Sequence, residues 1–180
     1  YANAMSEVSE GSIIMRFKNN SIANHGVILG TRNSSGTLPS DITTKNATSA
    51  SMVITNKDQF YLVYSYDRAG INGPYSFVDG EWHTVVLSGS ATGKNIRLTI
   101  DGKEIWAISN RSELAGMFNK LSGLDTVTIG GHKDGSNVVG GFNGSISNVI
   151  VTKETISDED AIAISAAGYT GGTQMGAQIA

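Results

Sequence analysis

The 180-residue sequence contains no cysteine, which removes disulfides, thiolate nucleophiles and cysteine-based zinc sites together. That absence leaves the compartment open, since cysteine-free chains occur both in the cytosol and among bacterial surface proteins. Charge is scarce too: charged residues make up 16% of the chain and the formal net charge is -3. Such a balance supplies no basic field to hold a phosphate backbone, so nucleic acid is excluded as a partner and anionic membranes are disfavoured. No apolar run approaches the roughly 18 residues needed to span a bilayer, and membrane insertion is not expected. No basic-then-apolar leader opens the chain, and a start at Tyr1 reads as a piece excised from something longer. Proline is limited to 2 residues while glycine reaches 22, amid abundant Ser, Thr and Asn, a composition of strands and turns. The length suits one domain with a sizeable core and is short for two.

Short strand patterns fill that length. Ser12 to Lys18 alternates apolar and polar residues from Ile14 onward and stops at Asn19-Asn20, and Val27 to Gly30 reads as a second strand. From Thr31 to Ser49 the composition predicts a long irregular loop of the kind that is often functional. Ser51 to Thr55 and Gln59 to Tyr66 flank Asn56-Lys57-Asp58 as a hairpin, after which Ala69 to Pro74 breaks the chain. Trp82 to Ser88, Asn95 to Ile100 and Lys103 to Ile108 form a meander, the last turn made by Asp101-Gly102. Leu114 to Leu121 is expected to hold one short helical turn. Thr126 to Gly130 and Gly144 to Val151 are expected to close the sheet, joined by the glycine-rich stretch from His132 to Asn143. Ser157-Asp158-Glu159-Asp160 sets a capping residue before first-turn acids, so a helix follows through Ala166. The pattern predicts an all-β, two-sheet antiparallel sandwich over residues 1-168 with a short C-terminal helix, and a linker or tail over 169-180.

Five segments carry a family resemblance: Gly11 to Lys18, Asp79-Gly80-Glu81-Trp82-His83-Thr84-Val85, Ile96 to Gly102, Val127 to Gly131, and Phe142 to Val149. In order and spacing they resemble the concanavalin A-like and laminin G-like jelly-roll superfamily over nearly the whole chain. Within it, the opening and closing segments look most like the sialic-acid-binding lectin domains of bacterial sialidases, carbohydrate-binding module family 40. The shared motif has a physical reading of its own: Asp-Gly makes a turn, and Trp82 is expected to anchor the core. Fold, not ligand, is what such a signature specifies.

An enzyme of this architecture would need two carboxylates on neighbouring positions of one strand, and no such pair is present. The Ser157 to Asp160 acids are explained by the helix start. Of the three histidines, His83 is expected to be a structural or surface strand residue, His25 lies in a turn, and His132 sits in a loop at a strand end. A non-catalytic glycan-binding module is therefore the expectation, with no cofactor and no resident metal.

The resemblance implies a sialoside ligand, a neighbouring sialidase catalytic domain in the parent chain, and a secreted or cell-surface location. A sialic acid carboxylate favours an arginine fork, and its ring favours an aromatic platform beside amide groups. Tyr64, Tyr66, Asp67 and Arg68 match that description, with Tyr66 and Arg68 nearest the family's Glu-x-Arg pair; His132, Lys133 and Asn137 follow from the loop after Ile129. The chain departs from the family in placing Tyr66 at the glutamate, and Lys133 or Asp134 at the second arginine. A half-buried strand face is the alternative reading of the tyrosines. A laminin G-like protein-interaction or spacer domain, with loop oxygens holding calcium, is the alternative function.

Overall fold

The computed structural model describes residues 9–21, 25–38, 48–54, 57–63, 68–70, 76–90, 95–109, 121 and 123–168, with 68–70 and 108–109 by backbone. Alternation along β1 (Glu10–Asn19) sends Ile13, Met15 and Phe17 to one face and Ile14 and Arg16 to the other. In chain order there follow β2 (Gly26–Arg32), β3 (Ser49–Ile54), β4 (Phe60–Val63), β5 (Arg68–Gly70), β6 (His83–Ser90), β7 (Asn95–Ile100), β8 (Lys103–Ser109), β9 (Thr126–Ile129), β10 (His132–Asp134), β11 (Asn137–Val139), β12 (Gly144–Thr152) and a helix, α1 (Asp158–Ala167).

Ten of these strands make two five-stranded antiparallel sheets, in the orders β12-β1-β6-β7-β8 and β5-β4-β3-β2-β9. This is the expected two-sheet jelly-roll sandwich. Its core lies between the sheets, where Phe17, Phe60 and Phe77 stack at centroid separations of 6.3 and 6.2 Å among Ile, Leu, Val and Met side chains. The β6-β7-β8 meander forms as expected. Asp101 and Gly102 both take left-handed φ, 49° and 78°, which is what a two-residue hairpin turn demands. The β3–β4 hairpin forms likewise, and the Asp58 carboxylate at its turn accepts from the Phe77 amide at 2.8 Å, fastening that ring into the core.

Several expectations are corrected. Thr126 to Gly130 and Gly144 to Val151 do not close one sheet: β9 edges the second sheet and β12 the first. The stretch from His132 is not a plain connection but contains the β10–β11 hairpin. Arg68–Gly70, taken in part for a chain break, pairs with β4 as an edge strand. Trp82 does not anchor the core; it is 37% exposed, with the Arg16 guanidinium over its ring. Strand parity explains this, because His83 pairs with inward-facing Phe17 and its neighbours therefore face out. Of the segment 114–121, only Leu121 is among the described residues, and it is buried in the core. Residues 39–47 of the long loop and 169–180 lie outside them.

The two outward faces are covered differently. On the first sheet, Ala161 and Ile164 of α1 pack on Ile14 and Val86. The Ser157 hydroxyl caps the helix by accepting from the Asp160 amide at 3.1 Å, and Gly168 at φ 66° ends it. On the second sheet, Val27, Val53 and Val63 are covered with help from Val139 of the β10–β11 hairpin, which lies over the β2 end of that face.

Candidate functional site

The site is built on the outward face of the second sheet. A bulge at Ile28 resets the alternation of β2, so Gly30 and Arg32 oppose Ser51 and Ser49 on the face away from the core. After β9 the chain turns at Gly130, φ 80°, whose carbonyl accepts from the Phe142 amide at 3.0 Å as the hairpin folds back. His132 thereby lands on Gly30, where even a Cβ would stand 2.7 Å from the ring Nδ1. Only glycine leaves room for the ring.

His132 is 1% exposed, and its Nε2 lies 2.5 Å from the Ser51 hydroxyl while Nδ1 is buried without a partner. Burial, with the Arg32 charge added, pushes its pKa down to about 4, so the imidazole is neutral at ordinary pH. Arg32 is itself buried. Its guanidinium donates to the Lys133 carbonyl at 2.6 Å, to the Asp134 carboxylate at 3.1 Å, and to the carbonyls of Asn33, Ser34 and Gly36. One cation thus fastens both the hairpin and the turn after β2 to the sheet.

The expected ligand residues fall into three groups. Tyr64, Tyr66 and Asp67 lie outside the described residues. Arg68 opens β5 in register with Val63, which pairs with Ser51, which pairs with Gly30. Those four positions form one cross-strand row, with Arg68 about 10 Å from Ser51 at two strand spacings. Lys133 and Asn137 are exposed on the hairpin, Lys133 opposite Val138 and Asn137 opposite Asp134. His132 is corrected: its imidazole is enclosed between Gly30 and Ser51, so it supports the hairpin from below instead of facing a ligand. Arg32, Gly30 and Ser51 escaped the sequence reading, and Asp134 entered it only as one of two positions at the family's second arginine. The one signal was a charged residue ending an otherwise apolar strand.

The Ser51–His132 pair is not a nucleophile and base in working order. Both residues are enclosed, and the nearby Asp134 carboxylate turns to Arg32, leaving Nδ1 without an orienting acid. His83 is structural as expected. It packs on Phe17 and Phe77, with Nδ1 2.7 Å from Asp101 and Nε2 3.2 Å from Asp79. Burial alone would lower its pKa, but the two carboxylates outweigh burial and hold it above the ordinary value. At the opposite loop, the Asp125 carboxylate is occupied by the Ser34 amide and hydroxyl and by Thr126. Among the described residues no three His, Asp or Glu side chains gather as a metal-ligating group.

The family model for the laminin G domain matches residues 24–154. No curated protein matches the sequence. Among solved structures, the chain is similar to the CBM40 of a Ruminococcus gnavus IT-sialidase bound to alpha2,3 sialyllactose, at TM-score 0.74 and 21% identity, covering 91% of this chain and 86% of that one. It is similar to a leech intramolecular trans-sialidase complexed with 2,7-anhydro-Neu5Ac, at TM-score 0.74 and 20% identity over 95% of this chain, and spans only 25% of that protein's length. A SAP-like pentraxin from Limulus polyphemus follows at TM-score 0.62 and 16% identity, covering 89% of this chain and 71% of that one. At these identities the likeness is one of fold.

Proposed function

The chain belongs to the laminin G domain family, and we propose that it is a non-catalytic carbohydrate-binding module that recognises sialic acid-containing glycans. The observation that carries this reading is the row Arg68, Val63, Ser51 and Gly30, roofed at one end by a hairpin that presents Lys133 and Asn137. The Arg68 fork would take the sialic acid carboxylate, with Tyr64 and Tyr66 the ring platform that the sequence offers and Asp67 an acceptor for ring hydroxyls. Lys133 would add a point charge where the family pattern has an arginine, and Asn137 an amide. Similarity to sialidase modules of named glycan complexes supports the ligand class.

In a parent protein, such a module would sit beside a sialidase catalytic domain on a secreted or surface-exposed chain. It would raise the local concentration of substrate through a weak second contact. Titration calorimetry or a glycan array with alpha2,3 sialyllactose against lactose tests the reading. Binding of the sialylated sugar alone, lost in Arg68→Ala at unchanged melting temperature, is the expected result. A folded protein that binds neither sugar sinks it, and leaves the protein-interaction alternative.

A further inference from the structure

A second arginine stands on the opposite side of the sandwich with its hydrogen-bonding capacity unused. Arg16 points outward from β1, and its guanidinium carbon lies 5.0 Å from the centroid of the exposed Trp82 indole. Its Nε is buried without a partner, and among the described residues the guanidinium makes no hydrogen bond or ion pair. Two other arginines contrast with it: Arg32 is consumed by the hairpin, and Arg97 pairs with Glu104 and Asp158. Lys18, two residues along the same face, makes no ion pair among the described residues. Across the register on β12, Asn148 opposes Arg16 and the exposed Ser145 opposes Lys18.

Nearby acids do not fill the gap. Asp79 and Asp101 are both bonded to His83, Glu81 is exposed beside Trp82, and the end of α1 brings no acid but packs beside the guanidinium, where a Cβ built at Gly168 would stand 3.8 Å from it. An arginine fork pre-positioned on a flat ring, with a lysine, an amide and a hydroxyl in line, suits one class of ligand. We propose that Arg16, Trp82 and Lys18 form a second binding site, for a carboxylate-bearing saccharide. The terminal guanidinium nitrogens take the carboxylate, the indole packs against the apolar face of the sugar ring, and Asn148 and Ser145 meet its hydroxyls. This goes beyond the site at Arg68 and uses none of its residues, so either can stand without the other.

The indole N–H resonance of Trp82, assigned as the peak absent from Trp82→Phe, reports the site in the full chain. Methyl glucuronide and 3'-sialyllactose are titrated against the neutral controls methyl glucoside and lactose. A saturable Trp82 shift with the acidic sugars only is expected, weakened at least tenfold in Arg16→Gln and retained in Arg68→Ala. Arg16→Lys, which keeps the charge and loses the fork, is expected to weaken binding as well, and serves should Arg16→Gln not fold. The proposal is overturned if Trp82 does not respond, if neutral sugars shift it equally, or if the Arg16 variants lower the melting temperature and leave the shift unchanged. That last result would assign Arg16 to the helix end alone. Loss of sialyllactose binding in Arg68→Ala with Trp82 indifferent throughout would leave the first site standing and remove this one.

Discussion

The Arg32 guanidinium donates to the Lys133 carbonyl oxygen across 2.6 Å, tying the β10–β11 hairpin to a strand 101 residues earlier in the chain. The hairpin carries Lys133 and Asn137, so the geometry of the proposed glycan site depends on a residue that touches no glycan. Arg32→Met keeps the aliphatic stem and leaves several acceptors unpaired. It is expected to destabilise the fold by about 2–3 kcal/mol. Hydrogen exchange should show residues 132–139 losing protection first; uniform loss over both sheets would mean that the hairpin is not held separately.

Gly30 and Lys133 separate support from contact. Gly30→Ala places a methyl 2.7 Å from the His132 ring and should lower both melting temperature and sialoside affinity. Lys133→Ala, on an exposed side chain, is expected to weaken sialyllactose binding roughly three- to tenfold at unchanged melting temperature, the scale of one exposed charge contact. Equal binding by Lys133→Ala and the parent chain would remove Lys133 from the site.

Two histidines set opposite limbs of the stability profile. The folded pKa of His83 is raised above 6.5, so its contribution is complete below about pH 6.5 and is lost as pH rises through the folded value. His132 is held neutral, with a folded pKa of about 4 against an ordinary 6.5, so stability falls as pH drops from 6.5 towards 4. That acid limb amounts to on the order of 3 kcal/mol. Melting temperature should therefore peak just above pH 6.5, between the unfolded histidine value and the raised folded value of His83. His83→Gln should flatten the alkaline limb and His132→Gln the acid one; a profile unchanged by both variants would refute the assignment.

Gly102 joins the meander to the helix. Its φ is 78°, its amide donates to Ser165 Oγ at 2.9 Å, and a Cβ there would lie 2.8 Å from Ala166 Cβ. Gly102→Ala should cost about 1–3 kcal/mol. Gly135→Ala, at φ 58° with nothing within 4 Å, carries the backbone strain without the clash and should cost less. Equal losses in denaturant melts would mean that α1 yields freely.

Local pattern was enough for much of this molecule. Alternation in β1, β6 and β7, the Asp101-Gly102 turn and the Ser157 cap are decided by neighbours within a few residues, so the two-sheet sandwich with its terminal helix was legible before any contact was known. The strand that follows Trp82 was legible, but the direction of Trp82 was not. It depends on the pairing of His83 with Phe17, a register between segments 66 residues apart. Likewise the sequence offered His132 as a ligand contact because it sits in a loop at a strand end, after Ile129. Tertiary structure placed it under the hairpin, because Gly30 leaves a ring-sized gap and Ser51 supplies a partner. Strand and turn chemistry is short-range and therefore written in sequence. Which arginine is consumed, as Arg32 is, and which is left unpartnered, as Arg16 is, follows from what folds over each sheet face, and only the assembled sandwich decides that.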